Sequence, residues 1–133
     1  MTATPNKKIL LVEDDADAVE MLGRAFTRAS RFSITTAADG PSGLRRAREE
    51  LPALVILDLM LPKIPGLEVC KILKSDSLTR HIPVLMLAVK AEEIDRIVGL
   101  ELGADDYVTK PFSPREEVVL RAQAILRPSE SWR

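Results

Sequence analysis

The sequence predicts an α/β fold, a doubly wound five-stranded parallel sheet with five helices, on three observations. Five short apolar runs alternate with five amphipathic segments. Three of the runs are nearly continuous aliphatic stretches, as a parallel strand covered on both faces requires. The runs are four or five residues long, and that length favours strand where periodicity cannot separate strand from buried helix. Strand and helix repeated in this way give right-handed crossovers with helices on both faces of the sheet.

The runs fall at 9–12, 32–36, 54–57, 84–87 and 106–109. In the first helical segment Ala18, Leu22, Ala25, Phe26 and Ala29 recur at helical spacing. The second covers about 41–50, with Pro41 suited to a first turn. The third covers 66–75. The fourth covers 92–102 and ends at Gly103, a favourable residue for a helix C-terminus. In the fifth, Val118, Ala122, Ile125 and Leu126 form the apolar stripe.

The chain has 133 residues, the length of one domain, with 46% hydrophobic and 29% charged residues, the balance of an ordinary globular protein. A domain over 7–127 is expected, with a disordered N-terminus at 1–6. Residues 128–133 read as a linker or tail, either severed before an output domain or a free terminus. The net charge of −1 gives no electrostatic footprint for nucleic acid. No run approaches the ~18 apolar residues of a membrane span, and MTATPNKK lacks the apolar core of a secretory signal. With Cys70 as its one cysteine the chain forms no internal disulfide, and a reducing cytoplasm is the expected setting. Cys70 reads as core filler and His81 as a surface histidine.

In an open parallel sheet, ligands bind beyond the carboxyl ends of the strands. The first run ends in Glu13-Asp14-Asp15, the third in Asp58 and the fifth in Lys110-Pro111. Glu13, Asp14 and Asp58 gathered at one edge form a set of hard oxygen donors suited to a divalent cation such as Mg2+. A cation there keeps carboxylates ionised that would otherwise raise one another's pKa. Lys110 adds a fixed ammonium beside Asp58. An ionised carboxylate so placed is a nucleophile toward phosphorus, giving an aspartyl phosphate. Taken singly, the acids could cap the first helix, Asp58 could be a strand-end cap and Lys110 a surface lysine. Their joint placement at successive strand ends of one alternating pattern favours the chemical reading.

At these residues, in ILLVEDD, LVILDLMLP with Gly66, and GADDYVTKPF, the chain resembles the receiver domain of two-component response regulators. The resemblance covers about 7–127, and the stretch GLELGADDYVTKPFSP is most similar to the OmpR/PhoB class of transcription regulators. It implies a flavodoxin-like receiver fold and phosphorylation of Asp58 by a sensor histidine kinase, in a switch rather than a turnover enzyme. It further implies that Glu13, Asp14, Asp58 and the Met60 carbonyl hold Mg2+. By the same resemblance Lys110 contacts the phosphoryl group, Pro111 follows a cis peptide bond, Tyr107 is the aromatic switch residue, and Asp15 begins the first helix.

Two departures from the family pattern stand out. Where the family has Thr or Ser at the end of the fourth strand, this chain has Ala88, followed by Val89. Nucleophile, metal ligands and lysine remain, so the loss bears on propagation of the signal rather than on phosphate acceptance. Second, the fifth helix needs one extra residue within 113–116 to align its apolar stripe. Glu117 and Arg121 then fall where the class keeps interface charges, opposite Arg96 and Asp106, with Ile97, Leu100 and Val119 as the apolar centre. This face, from the fourth helix, fifth strand and fifth helix, is expected to form a weak homodimer; a solvated charged face is the other reading. A receiver-like module with phosphate-independent output is the alternative function. A small metal-dependent phosphohydrolase lacks a second catalytic acid in the sequence.

Overall fold

The computed structural model describes residues 6–29, 31–89, 101 and 103–127. Its five strands are β1 (Lys7–Val12), β2 (Phe32–Ala37), β3 (Leu54–Asp58), β4 (Val84–Val89) and β5 (Asp106–Lys110). All neighbours are parallel, in the order β2-β1-β3-β4-β5. Each strand contains the predicted run and extends it by one or two residues, because ladder pairing continues into residues that hydropathy does not mark. Lys7 pairs with Phe32, and Val89 with Lys110.

The helices α1 (Ala16–Ala29), α2 (Gly40–Glu50) and α3 (Gly66–Ser75) follow the first three strands. Asp15 accepts the Asp17 N–H at 3.0 Å and opens α1. Asp39 does the same for α2 through the Ser42 N–H at 2.8 Å. The predicted fourth helix lies outside the described residues except for Glu101; Gly103, expected to close it, has φ +106°.

Alternation along the strands divides the core in two. Leu10, Val12, Val55, Leu57, Met86 and Ala88 face one side with Val69, Cys70 and Leu73 of α3 and Ala47 of α2. Ile9, Leu11, Ile56, Leu85, Leu87 and Val108 face the other with Leu22 and Phe26 of α1 and the C-terminal helix. Cys70 is fully buried, as core filler should be, and burial pushes its thiol pKa up. His81 is exposed.

The C-terminal helix begins as a π-helical turn, Pro114–Val119, and continues as α-helix over Leu120–Ile125. The Leu120 N–H bonds to the Arg115 carbonyl, an i to i+5 link. The backbone here takes up one residue more than an α-helical turn holds, where the sequence pattern calls for an additional residue. Val118 and Ala122 are buried and Ile125 and Leu126 pack against the same cluster.

The π-turn also overturns one expectation. Val119, assigned to the apolar centre of an exposed face, is 1% exposed and belongs to the core under α1. Two successive valines turn inward because the wide turn places both on the sheet side. Arg121, expected to reach a second copy, donates to Asp106 of its own chain at 2.8 Å.

The connection from β3 to α3 is packed so closely that one position admits only glycine. A Cβ on Gly66 would lie 2.2 Å from the Asp58 carbonyl oxygen and 2.7 Å from the Leu59 Cα, both backbone atoms that cannot rotate away. The Gly66 N–H also bonds to the Leu59 carbonyl at 2.9 Å. Gly66→Ala is therefore expected to destabilise the domain by about 1–3 kcal/mol or more, read as a lower midpoint in urea denaturation, with the amide resonances of residues 58–60 displaced.

Candidate functional site

The strand order reverses between β1 and β3, and the predicted residues meet at the carboxyl end of this junction. Glu13 is the first residue beyond β1, held in line by its N–H to the Ala37 carbonyl at 3.0 Å. Asp58 is the last residue of β3, and the Leu59 N–H that follows bonds to Leu87 of β4 at 3.0 Å. Glu13 and Asp58 are 2% and 3% exposed, whereas Asp14 faces solvent. Glu13, Asp14 and Asp58 each offer an oxygen within 4.8 Å of the others, a set that could hold a metal ion.

Lys110, at the end of β5, reaches across the end of β4 to both buried acids. Its Nζ lies 3.1 Å from Glu13 Oε1 and 3.5 Å from Asp58 Oδ2. The bond to Glu13 is the shorter, although the sequence pointed only to Asp58 as the partner of Lys110. The second oxygen of each acid meets backbone: the Asp15 N–H donates to Glu13 Oε2 at 3.1 Å, and the Met60 N–H to Asp58 Oδ1 at 3.2 Å. The Met60 side chain is exposed. The Lys110–Pro111 peptide bond is cis.

Burial, then the charge and hydrogen bond of Glu13, push the Asp58 carboxyl up to about 7, against the opposing pull of Lys110 and the Met60 amide. Burial works to lower Lys110, but Glu13 and Asp58 outweigh it and hold the ammonium above its ordinary range. A single ammonium thus faces two buried carboxylates and a third at the rim. The donors are all hard oxygens, and their charge is compensated only in part, which fits a hard divalent cation.

The remaining predicted positions are dispersed around this centre. Ala88 is fully buried in β4 opposite Thr109, and Tyr107 is half-buried on the same side of the sheet. Glu117 is exposed and accepts the Ser113 N–H at 3.3 Å. Arg96, Ile97 and Leu100 lie outside the described residues. Sequence reasoning missed the connection between β3 and α3 as a folded part of the site. The one signal for it was the glycine at 66 after a largely apolar stretch with two prolines.

A five-stranded parallel sheet with an acid cluster and a lysine at its switch point defines a class. The chain matches the response regulator receiver domain over residues 9–122 and belongs to that family, whose members are signalling proteins. It is 53% identical over 125 residues to the alkaline phosphatase synthesis transcriptional regulatory protein PhoP of Bacillus subtilis, covering 94% of this chain and 50% of that one. It is 43% identical over 127 residues to the DNA-binding response regulator MtrA of Mycobacterium tuberculosis, covering 96% and 54%. The chain thus spans about half the length of the curated relatives it matches. Among solved structures, a putative response regulator from Chloroflexus aurantiacus superposes with a TM-score of 0.84 at 36% identity, covering 91% and 98% of the two chains. The chemotaxis response regulator CheY4 of Vibrio cholerae gives 0.81 at 26%, covering 92% and 99%. No helix among the described residues is long and apolar enough to cross a membrane.

The raised Asp58 carboxyl makes stability depend on pH. An unfolded aspartate titrates near 3.9, so between about pH 4 and 7 the folded state binds the extra proton. Stability of the metal-free domain from this group therefore falls as pH rises through that window and levels off above it. Asp58→Asn removes the titration. It is expected to stabilise the domain little at about pH 4 and by on the order of 1–4 kcal/mol at about pH 8, measured by urea denaturation in a metal chelator.

Proposed function

We propose that this domain accepts a phosphoryl group on Asp58 from a sensor histidine kinase in the cytoplasm and passes the signal to an output that controls transcription. The observation that carries this reading is the buried carboxylate of Asp58 beside buried Glu13, with Lys110 facing both, at the sheet switch point. The transcriptional output is inferred from the printed names of the relatives. On this reading 7–127 is the receiver, and 128–133 lead toward the output.

In the reaction an Asp58 carboxylate oxygen forms a bond to phosphorus while the bond from phosphorus to the donor nitrogen breaks and its electron pair leaves with the histidine. Glu13, Asp14, Asp58 and the Met60 carbonyl would hold Mg2+, which when bound neutralises the carboxylates and the phosphoryl oxygens. Lys110 supplies the second positive charge, already aimed at Asp58 through its contact with Glu13. The Met60 N–H bonds one Asp58 oxygen and leaves the other to face Lys110, which fixes the orientation of the nucleophile.

Incubation with acetyl phosphate and Mg2+ is expected to add one phosphoryl group, seen by intact mass. The adduct should be absent from Asp58→Asn and from Asp14→Ala, and turnover of a generic phosphoester would instead favour a hydrolase.

A second reading is favoured by Ala88, which is fully buried in β4 and has no hydroxyl to meet a phosphoryl oxygen. Phosphate then couples weakly to the face around β5 and the C-terminal helix, because a ligand shifts an equilibrium only through differential contacts with its two states. That face, with Arg96, Ile97, Leu100, Asp106, Glu117 and Arg121, is the surface for a weak homodimer. The Asp106–Arg121 pair inside the chain must be kept or exchanged when it forms. Ala88→Thr is expected to enlarge the phosphorylation-induced shift of the Tyr107 resonances and to raise the phosphorylation-dependent share of dimer in sedimentation.

A further inference from the structure

The connection between β3 and α3 carries Met60, and its far end is fastened to another part of the fold. Lys63 has φ +72°, left-handed backbone in a residue with a side chain; such an arrangement persists where surrounding contacts fix it. Two contacts do so. The Lys63 Nζ lies 3.3 Å from Asp39 Oδ2. A Cβ on Gly40 would come within 2.8 Å of the Ile64 Cβ and 3.0 Å of the Ile64 carbonyl oxygen, so only the bare backbone of α2 lets the connection approach this closely. Asp39 serves both sides at once, with Oδ1 receiving the Ser42 N–H at 2.8 Å and Oδ2 facing Lys63. The Ser42 N–H, then Lys63, hold the Asp39 carboxyl below its ordinary range.

From Lys63 the connection runs back three residues to Met60, whose N–H is bonded to Asp58, and forward three to Gly66, whose N–H is bonded to the Leu59 carbonyl. Pro62 on one side and Pro65 on the other restrict the backbone between these anchors. A displacement at Lys63 therefore has few torsions in which to dissipate before it reaches Met60.

We propose that Asp39 is a positioning residue for the Mg2+ site: by holding Lys63 it fixes the connection from β3 to α3 and so the backbone of Met60. The proposal rests on the reading of Glu13, Asp14, Asp58 and the Met60 carbonyl as that site. It assigns a role to an acid outside the cluster, on the loop before α2, which does not itself reach the ion.

Geometry and electric field make opposite predictions for the two partners. Through charge alone, removing the Asp39 carboxylate weakens Mg2+ binding and removing the Lys63 ammonium strengthens it. If the contact positions Met60, losing either partner weakens binding. The side chain of Lys63 is 67% exposed, so the effect is small. It is expected to be about two- to fivefold, the range that an exposed pair supports.

The test is a Mg2+ titration followed by amide chemical shifts at fixed ionic strength, on the wild type, Asp39→Asn, Lys63→Met and the double variant. Asparagine is as good a helix N-cap as aspartate, so Asp39→Asn keeps α2 intact and separates the contact from folding; urea midpoints check this. Both single variants are expected to bind Mg2+ about two- to fivefold more weakly, and the double variant no more weakly than either, since both remove the same contact. Unchanged affinities, or tighter binding by Lys63→Met, would overturn the proposal. Wild type that shows no Mg2+ binding sensitive to Asp14→Ala would overturn the underlying reading of the site.

Discussion

The approach of one ammonium, Lys110, to two buried carboxylates is the interaction on which the site depends. Removing an isolated carboxylate from water costs several kcal/mol even after the surroundings relax. The sheet edge keeps Glu13 and Asp58 out of water only because Lys110 lies 3.1 and 3.5 Å away and two backbone N–H groups take the remaining oxygens. Compensation is incomplete, and the Asp58 carboxyl at about 7 records the deficit. The same shortage that makes the empty arrangement costly makes it receptive to positive charge. Lys110 reaches this point only because β5 runs parallel to β1 and β3 and ends at the same edge, so the pattern of crossovers is a condition of the chemistry.

Much of this was legible in the sequence, for a geometrical reason. In a parallel sheet all strands end at one edge, so residues that follow separate aliphatic runs are neighbours whatever their distance along the chain. That rule brings Glu13, Asp14, Asp58 and Lys110 together from the sequence alone. It does not say which of two acids a lysine approaches more closely, and the shorter bond from Lys110 to Glu13 rests on side-chain length and burial. The contact between Lys63 and Asp39 was hidden for another reason: both residues lie in loops, where no periodicity reports on position.

The C-terminal helix shows where pattern reasoning stops. An extra residue could be inferred from an apolar stripe out of phase with the strand before it. Its structural form could not, since a loop, a bulge or a shifted helix start would each absorb one residue. The π-turn has a particular result, two adjacent valines both turned to the core, and α-helical spacing cannot anticipate that. The misplacement of Val119 on an exposed face came directly from counting with the wrong period. Asp106 and Arg121 meet within one chain at 2.8 Å, and sequence carries no information on whether a complementary pair closes within a chain or between chains.

The π-turn lies between Lys110 and the surface of the C-terminal helix. A residue inserted into a regular helix rotates everything beyond it by about 100°, which would scramble the register between the chemical edge of the sheet and any surface that reads it. Here the slack is taken up within one turn, and Ala122 and Ile125 still meet the core. Chain length between the sheet edge and the C-terminal helix can therefore differ by a residue while the phase of the helix is kept. For a modular signalling protein this uncouples two kinds of change. A connection can change by one residue while the outward face of the helix keeps the same compass bearing to the sheet.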